Sequence, residues 1–249
     1  MHLDCIVGNH DIYFKNTNRV NSPNLLLGEF QFGVWHKPIE LTFDGRKILF
    51  MPWICPENYE ESMSIIEKTD ARILMGHLEL QGFEMYRGAP NDHGFDRKIF
   101  SKFDIVMSGH FHHKSSKDNI HYLGAPYEMT WSDYNDPRGF HVFDTTMMTL
   151  KFIENPYKMF YKVFYDDVQC SEQELISNDF SYLKDKQVKV IVKNKDNPYI
   201  FDVFIDKLNS SNPAHMQVVE DNFNLDIEVS DDIIDEAEDT VTIIRNYIK

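Results

Sequence analysis

The chain has few cysteines, no long apolar run and no secretion signal. Its 249 residues include 3 cysteines, Cys5, Cys55 and Cys170, which lie far apart without the paired spacing of a disulfide framework or a thiolate metal site. We therefore expect three free thiols, buried or partly buried, as in a reducing compartment. No stretch approaches the roughly 20 apolar residues that span a bilayer, and the N-terminus lacks a basic-then-apolar pattern. The sequence predicts a cytoplasmic protein with no membrane partner.

Basic residues are scarce relative to acidic ones. Lys and Arg number 25 against 40 Asp and Glu, which gives a net charge of −15. An even distribution of this charge would disfavour a nucleic-acid partner. However, ten acidic residues and no Lys or Arg lie between Glu220 and Asp239, so the rest of the chain carries only −5. The overall charge therefore does not exclude a nucleic-acid partner, and the acidic run is typical of a solvated linker.

The rest of the composition is that of a globular protein, with 42% apolar and 14% aromatic residues. Strands alternate with helices, which predicts an α/β fold. Asp44-Gly45 predicts a hairpin, and Asn155-Pro156 predicts a boundary between a domain at 1–155 and a smaller one at 156–249. The predicted strands are 3–7, 33–43, 47–53, 71–75, 104–107, 120–123, 139–144, 148–153, 159–165, 187–193 and 215–220, and the predicted helices are 23–30, 57–68, 96–103, 199–208 and 239–247.

Three polar motifs each follow an apolar strand. They are Gly8-Asn9-His10-Asp11, Gly76-His77 and Gly109-His110-Phe111-His112. One histidine after a strand is usually an ordinary loop residue, but three such motifs in this order predict a shared site at one edge of the sheet. Imidazole nitrogen and amide oxygen suit Mn²⁺, Fe²⁺ or Zn²⁺.

His110 and His112 are two residues apart in a segment predicted to be extended, so both are expected to face one side, with Phe111 and His113 facing away. The other histidines are interpreted as surface or packing residues; they are His2, His36, His93, His113, His121, His141 and His215. Of these, His93 could lie near the substrate or be a plain loop residue.

The order of these motifs resembles the calcineurin-like metallophosphoesterases of the SbcD nuclease type, and within them the recombination endonuclease subunits of T-even-like phages. Segments 51–55, 76–83 and 135–140 add to the likeness, which covers residues 3–155 well. The resemblance implies a sandwich of two sheets flanked by helices, followed by a small α/β capping domain. The later part of the chain resembles that domain only in order and pattern.

The resemblance also implies roles for individual residues. Asn9, His77 and His110 would be ligands of one metal of a two-metal site, and His112 a ligand of the other. His10 would stabilise the transition state or protonate the leaving oxygen. Asp11 would orient His10 or cap the loop through backbone N–H groups. The implied cofactors are two divalent cations, Mn²⁺ in the first place, with Mg²⁺, Fe²⁺ or Zn²⁺ as alternatives.

Two further motifs of that family, Asp-x-His and Gly-Asp-x-x-Asp, do not precede Gly8. They would supply the remaining ligands and the carboxylate that bridges the metals. We therefore expect an N-terminally truncated catalytic domain that has little activity alone and is completed by a separately encoded piece.

The function implied is that of a subunit of an SbcCD-like DNA exo/endonuclease in recombination and repair. Its partners would be DNA, an SbcC-like coiled-coil ATPase and a second copy of the chain, in the host cytoplasm if phage-encoded. The alternatives are a non-catalytic assembly subunit and a phosphoesterase for small phosphoesters. Lys114, Lys117 and Arg138 could contact phosphates or be ordinary surface residues, and segment 239–247 is interpreted as a packing helix or part of an ATPase-docking helix.

Overall fold

The computed structural model describes residues 3–30, 32–86 and 88–220. The acidic run beyond residue 220, the predicted helix 239–247 and His2 lie outside the described residues. The chain forms two compact units. The first comprises the chain up to Pro126 together with Asp136–Asn155, and the second comprises Tyr127–Asn135 and the chain from Pro156 onwards.

The first unit contains most of the strands. Its helices are α1 (Ser22–Leu27) and α2 (Tyr59–Lys68), and its strands are β1 (Asp4–Ile6), β2 (Ile12–Phe14), β3 (Thr17–Asn21), β4 (Gly33–Trp35), β5 (Ile39–Phe43), β6 (Arg46–Met51), β7 (Ile73–His77), β8 (Glu84–Tyr86), β9 (Ala89–Pro90), β10 (Ile105–Gly109), β11 (Ser115–Lys117), β12 (Ile120–Tyr122), β13 (Gly139–Asp144) and β14 (Thr149–Glu154).

A six-stranded mixed sheet in the order β11-β12-β10-β7-β6-β5 organises this unit. The four strands β12, β10, β7 and β6 run parallel, while β11 and β5 are antiparallel to their neighbours. Side chains on successive residues face opposite sides of a sheet. Leu49, Leu74 and Val106 pack in one apolar cluster with Ile66 of α2. The opposite face packs against Phe143 and other apolar residues of the hairpin β13–β14.

The second unit is a small α/β structure. Its strands β15 (Phe160–Asp166), β16 (Gln187–Asn194) and β17 (His215–Glu220) form a parallel sheet, and its helices are α3 (Glu172–Ser177) and α4 (Pro198–Ser210). Val188, Val190 and Val192 of the central strand are buried against Leu208 and other residues of α4. The predicted α/β class is confirmed, with mixed sheets and few helices among the described residues.

Three predictions from sequence are wrong in detail. The single strand 33–43 is divided into β4 and β5, because Pro38 has no N–H for a strand ladder. The predicted helix 96–103 is only a short 3₁₀ helix, Arg97–Phe100, which ends before the turn into β10. Cys170 is exposed, whereas Cys5 is half-buried and Cys55 is buried; all three thiols are free. Among the described residues, no helix is long and apolar enough to cross a membrane.

Candidate metal centre

The ends of two neighbouring strands bring His77 and His110 together. In the parallel register of β7 and β10, His77 is paired with Gly109, the last residue of β10, so His110 follows the end of that strand beside His77. The loop that follows β1 is fixed to the same edge, because Val7 accepts a 2.8 Å hydrogen bond from the backbone N–H of Trp53. The carboxyl ends of parallel strands meet at one edge of a sheet, and this edge carries all three motifs.

Asn9 joins the two histidines through one atom. Its Oδ1 lies 2.8 Å from Nε2 of His77 and 3.2 Å from Nδ1 of His110. The two imidazole rings lie 5.3 Å apart, nearly edge to face. Three of the predicted ligands therefore converge on a single point.

Both histidines are neutral at physiological pH. Burial, followed by the nearby His10 and His112, lowers the pKa of His77 to about 4. Burial, followed by His77, His10 and His112, lowers the pKa of His110 to about 3. The other two predicted site histidines are thus close enough to act electrostatically on both rings. A neutral imidazole has a free lone pair, which is the form that binds a metal.

The loop before His10 is tightly closed. The Asp11 carboxylate accepts a 2.7 Å hydrogen bond from the backbone N–H of Gly8. Of the two roles considered for Asp11, this contact corresponds to capping the loop. A Cβ at Gly8 would lie 2.7 Å from Cε1 of His77. Glycine is therefore required here, because the loop backbone passes directly over the histidine ring.

Trp53 forms an aromatic wall of the site. Its ring lies 5.2 Å from the ring of His110 and 6.1 Å from that of His77. The wall contributes to the burial that lowers the pKa of both imidazoles.

The segment after β10 is not extended as predicted. His110 has a φ of 87°, in the left-handed region. Phe111 is buried and stacks near Tyr122. His113 does not simply face away, since its Nδ1 lies 2.9 Å from Oδ2 of Asp136.

A buried ion pair holds this segment in place. Arg138 is 2% exposed and donates a hydrogen bond to the carbonyl oxygen of His112. Its second guanidinium nitrogen lies 3.0 Å from Asp136, the same carboxylate that contacts His113. Sequence alone left Arg138 as either a phosphate contact or an ordinary surface residue, whereas the structure buries its guanidinium group against Asp136 and the carbonyl group of His112.

The donor geometry suits one divalent cation. Two donors about 2.0–2.2 Å from one ion and at a right angle to each other are about 3 Å apart, close to the Asn9–His77 and Asn9–His110 separations. Nitrogen and oxygen donors suit a transition-metal ion. No cluster of three or more His, Cys, Asp or Glu side chains in the described part of the chain could hold a metal. The candidate donor set instead combines two imidazoles with the amide oxygen of Asn9.

No protein-family model matches the chain. Individual proteins do. The chain is 33% identical over 248 residues to exonuclease subunit 1 of Enterobacteria phage T4, covering 99% of this chain and 69% of that protein. It is 28% identical over 175 residues to the SbcD subunit of the nuclease SbcCD of Staphylococcus epidermidis, covering 66% of this chain and 42% of that protein. It is also 30% identical over 98 residues to the SbcD subunit of Staphylococcus saprophyticus, covering 36% of this chain and 26% of that protein.

The chain belongs to the SbcD-type nuclease family. This finding agrees with the resemblance drawn from the motif order. The chain spans about two thirds of the phage relative and less than half of each staphylococcal one.

Sequence reasoning missed two contributions to this SbcD-type site. Asp136 was recognised only as part of a family-like segment, and Arg138 was considered beyond that only as a phosphate contact or a surface residue, although their spacing and opposite charges were a signal for a local ion pair. Trp53 likewise contributed only to the family resemblance, and its packing on two histidines could not be read from its position after β6.

Proposed function

We propose that this chain is the catalytic subunit of a metal-dependent DNA nuclease that acts in recombination and repair. The observation that carries the proposal is the contact of one oxygen, Oδ1 of Asn9, with a ring nitrogen of both His77 and His110. Both imidazoles are neutral at pH 7, as metal ligands must be. The "exonuclease" and "nuclease" names of the relatives support a nucleic acid as the substrate.

Asn9, His77 and His110 would hold one cation, and His112 would contribute to a second. Mn²⁺ is the expected ion, with Mg²⁺, Fe²⁺ or Zn²⁺ as alternatives. Divalent cations bound there would stabilise the negative charge of a phosphodiester during hydrolysis.

The remaining residues orient this centre. His10 lies near both neutral histidines and would donate a proton to the leaving oxygen of the cleaved phosphodiester. Asp11 keeps the His10 loop closed through Gly8. Arg138 holds the carbonyl group of His112 through a hydrogen bond, and His112 is therefore oriented in one way at the site. We propose on this basis that the first unit is a metallophosphoesterase sandwich and the second its capping domain.

The chain is proposed to work within a complex that includes an SbcC-like ATPase and a second copy of the chain. Each relative is named as a subunit. Large apolar side chains are unusually exposed on the hairpin β2–β3 and on α1 and its end, with Tyr13 78%, Leu25 76%, Leu26 71% and Phe30 60% exposed. We propose that these side chains form part of a protein-contact surface, since grouped exposed apolar residues mark such surfaces more often than isolated ones do.

The test is a nuclease assay on the complex isolated through a tag on this chain. Linear duplex DNA and a nitrophenyl phosphodiester are compared with and without Mn²⁺, using the wild type and His10→Ala. Mn²⁺-dependent DNA hydrolysis that His10→Ala abolishes supports the proposal. Hydrolysis of the small ester alone would indicate a small-molecule phosphoesterase, and an inactive complex would indicate an assembly subunit.

A further inference from the structure

A second polar cluster lies between the six-stranded sheet and the hairpin β13–β14, and it includes none of the proposed metal ligands. It lines a cavity of about 300 Å³. The polar lining comes from Lys114, Ser116, His121 and His141, and the apolar lining includes Phe152. All these residues belong to the first unit.

His141 brings an unused polar atom to this cavity. In the part of the chain that the structure describes, its buried Nδ1 has no hydrogen-bond partner. Its ring packs 5.1 Å from the ring of Phe152. A buried polar atom without a hydrogen-bond partner lowers the stability of the fold. This position therefore favours a ligand that can form a hydrogen bond with Nδ1 of His141.

Lys114 supplies the charge. Its ammonium group lies 4.6 Å from the centre of the Phe152 ring. Burial first, then Lys114 and then His121, lower the pKa of His141, so the ammonium also lies near that imidazole. At neutral pH the polar lining therefore presents one positive charge and two uncharged imidazoles, since burial lowers the pKa of His121 as well.

Ser116 and His121 complete the polar side. Oγ of Ser116 lies 2.9 Å from Nδ1 of His121, a contact that orients the ring and does not use its Nε2. An ammonium, a hydroxyl and imidazole N–H groups together form the kind of donor set that recognises phosphate oxygens. Met148, Leu150 and Phe152 add an apolar floor that inorganic phosphate alone would not use.

We propose that this cavity binds a nucleotide, with Lys114, Ser116, His121 and His141 contacting its phosphate and the apolar floor contacting its sugar or base. The cavity volume is at the lower end of those that hold small ligands, which fits one nucleotide and not a longer segment. The nucleotide is either a free mononucleotide or the last residue of a DNA strand. The site does not depend on the metal centre.

The test uses the full chain in EDTA, so that metal-dependent binding is absent. Histidine side-chain signals are followed by NMR in protein carrying isotope-labelled histidine, with assignments from His121→Gln and His141→Gln. The probes are deoxyadenosine monophosphate, deoxyadenosine, and a short oligonucleotide with and without a terminal phosphate. Lys114→Met removes the positive charge and keeps most of the aliphatic side chain. Ser116→Ala removes the hydroxyl group on an exposed strand. Lys117→Met is the matched control outside the cavity.

We expect a phosphorylated probe to shift the His121 and His141 signals in a saturable way, while deoxyadenosine does not. Lys114→Met weakens this binding about tenfold or more, as expected for a charged hydrogen bond, Ser116→Ala weakens it less, and Lys117→Met leaves it unchanged. Binding of the monophosphate but not the oligonucleotide identifies a free mononucleotide as the ligand, and tighter binding of the phosphorylated oligonucleotide identifies a strand end. The proposal is overturned if no probe shifts these two signals at millimolar concentration, if deoxyadenosine binds equally well, or if Lys114→Met and Lys117→Met behave alike.

Discussion

The absence of a side chain at Gly8 allows the loop that carries Asn9 to lie close to His77. The loop that carries Asn9 passes so close to His77 that a Cβ at position 8 would lie 2.7 Å from the ring. The contact between Asn9 and His77 depends on that close approach.

Gly8→Ala should therefore displace the His77 ring and weaken Mn²⁺ binding. We expect a loss of about 10- to 100-fold, the range found when groups that orient metal ligands are changed. Calorimetric titration of the purified chain with Mn²⁺ measures the effect, with circular dichroism as the check on folding. A folded Gly8→Ala protein with wild-type affinity would show that this approach is unimportant.

Arg138 is the residue whose role was least accessible from sequence. Arg138→Met replaces the guanidinium group with an uncharged side chain and leaves the Asp136 carboxylate buried without this partner, which should lower the free energy of unfolding by about 3–5 kcal/mol. The matched control is Arg72→Met, which breaks an exposed ion pair with Asp104 and should have little effect. Urea denaturation of both variants checks this expectation, and equal losses would contradict it.

The two lowered histidine pKa values predict a pH dependence of stability in the metal-free chain. An unfolded histidine takes up a proton near pH 6.5, whereas folded His77 and His110 do so only near 4 and 3. Between these pH values the unfolded state binds more protons than the folded state. The contribution of the two histidines to the free energy of unfolding is therefore full above pH 6.5 and is lost as the pH falls towards 3.

Urea unfolding in EDTA between pH 4 and 8 measures this dependence. The double variant His77→Gln/His110→Gln should show a shallower fall in unfolding free energy with decreasing pH. His93→Gln, which changes an exposed loop histidine, should retain the wild-type slope. An unchanged slope in the double variant would show that these histidines are not protected from protonation.

At the scale of elements, strand ends explain why the site was predictable. The apolar runs before Gly76 and Gly109 indicated β7 and β10, and parallel pairing then brings His77 and His110 to one edge. The ion pair of Arg138 with Asp136 could not be predicted, because sequence alone does not show which charged residue is buried. The hairpin β2–β3 was also missed, since β2 is a run of only three apolar residues and β3 is mostly polar, so neither shows the apolar alternation of a strand.

Helix α4 was predicted from its apolar spacing, and its start is set by Asn197. The side chain of Asn197 accepts a hydrogen bond from the N–H of Ile200, and Pro198 occupies the first turn. Asn197→Ala should lower the free energy of unfolding by about 1 kcal/mol. Asn209→Ala, the same substitution at an exposed position near the end of the helix, should change it little. Chemical denaturation compares the two, and a larger loss in Asn209→Ala would contradict this account of the helix.

At the scale of the whole molecule, composition predicted an α/β protein but carried little information about function. The net charge of −15 is dominated by one acidic run, so it does not describe the surface around the candidate metal centre. The function was predicted from motif order, and the similarity to SbcD-type nucleases supports that interpretation. The candidate metal site was only partly predictable, because an amide and two imidazoles form a donor set only when the fold places the amide oxygen within about 3 Å of a nitrogen of each ring.

The most direct test of the account is Mn²⁺ binding to the purified chain, measured by calorimetry in the wild type, Asn9→Ala, His110→Ala and the control His93→Ala. The account predicts that the wild type and His93→Ala bind Mn²⁺ alike, while Asn9→Ala and His110→Ala each bind it at least about tenfold more weakly. Equal binding by all four proteins, or none by the wild type, would contradict the assignment of a metal centre to Asn9, His77 and His110.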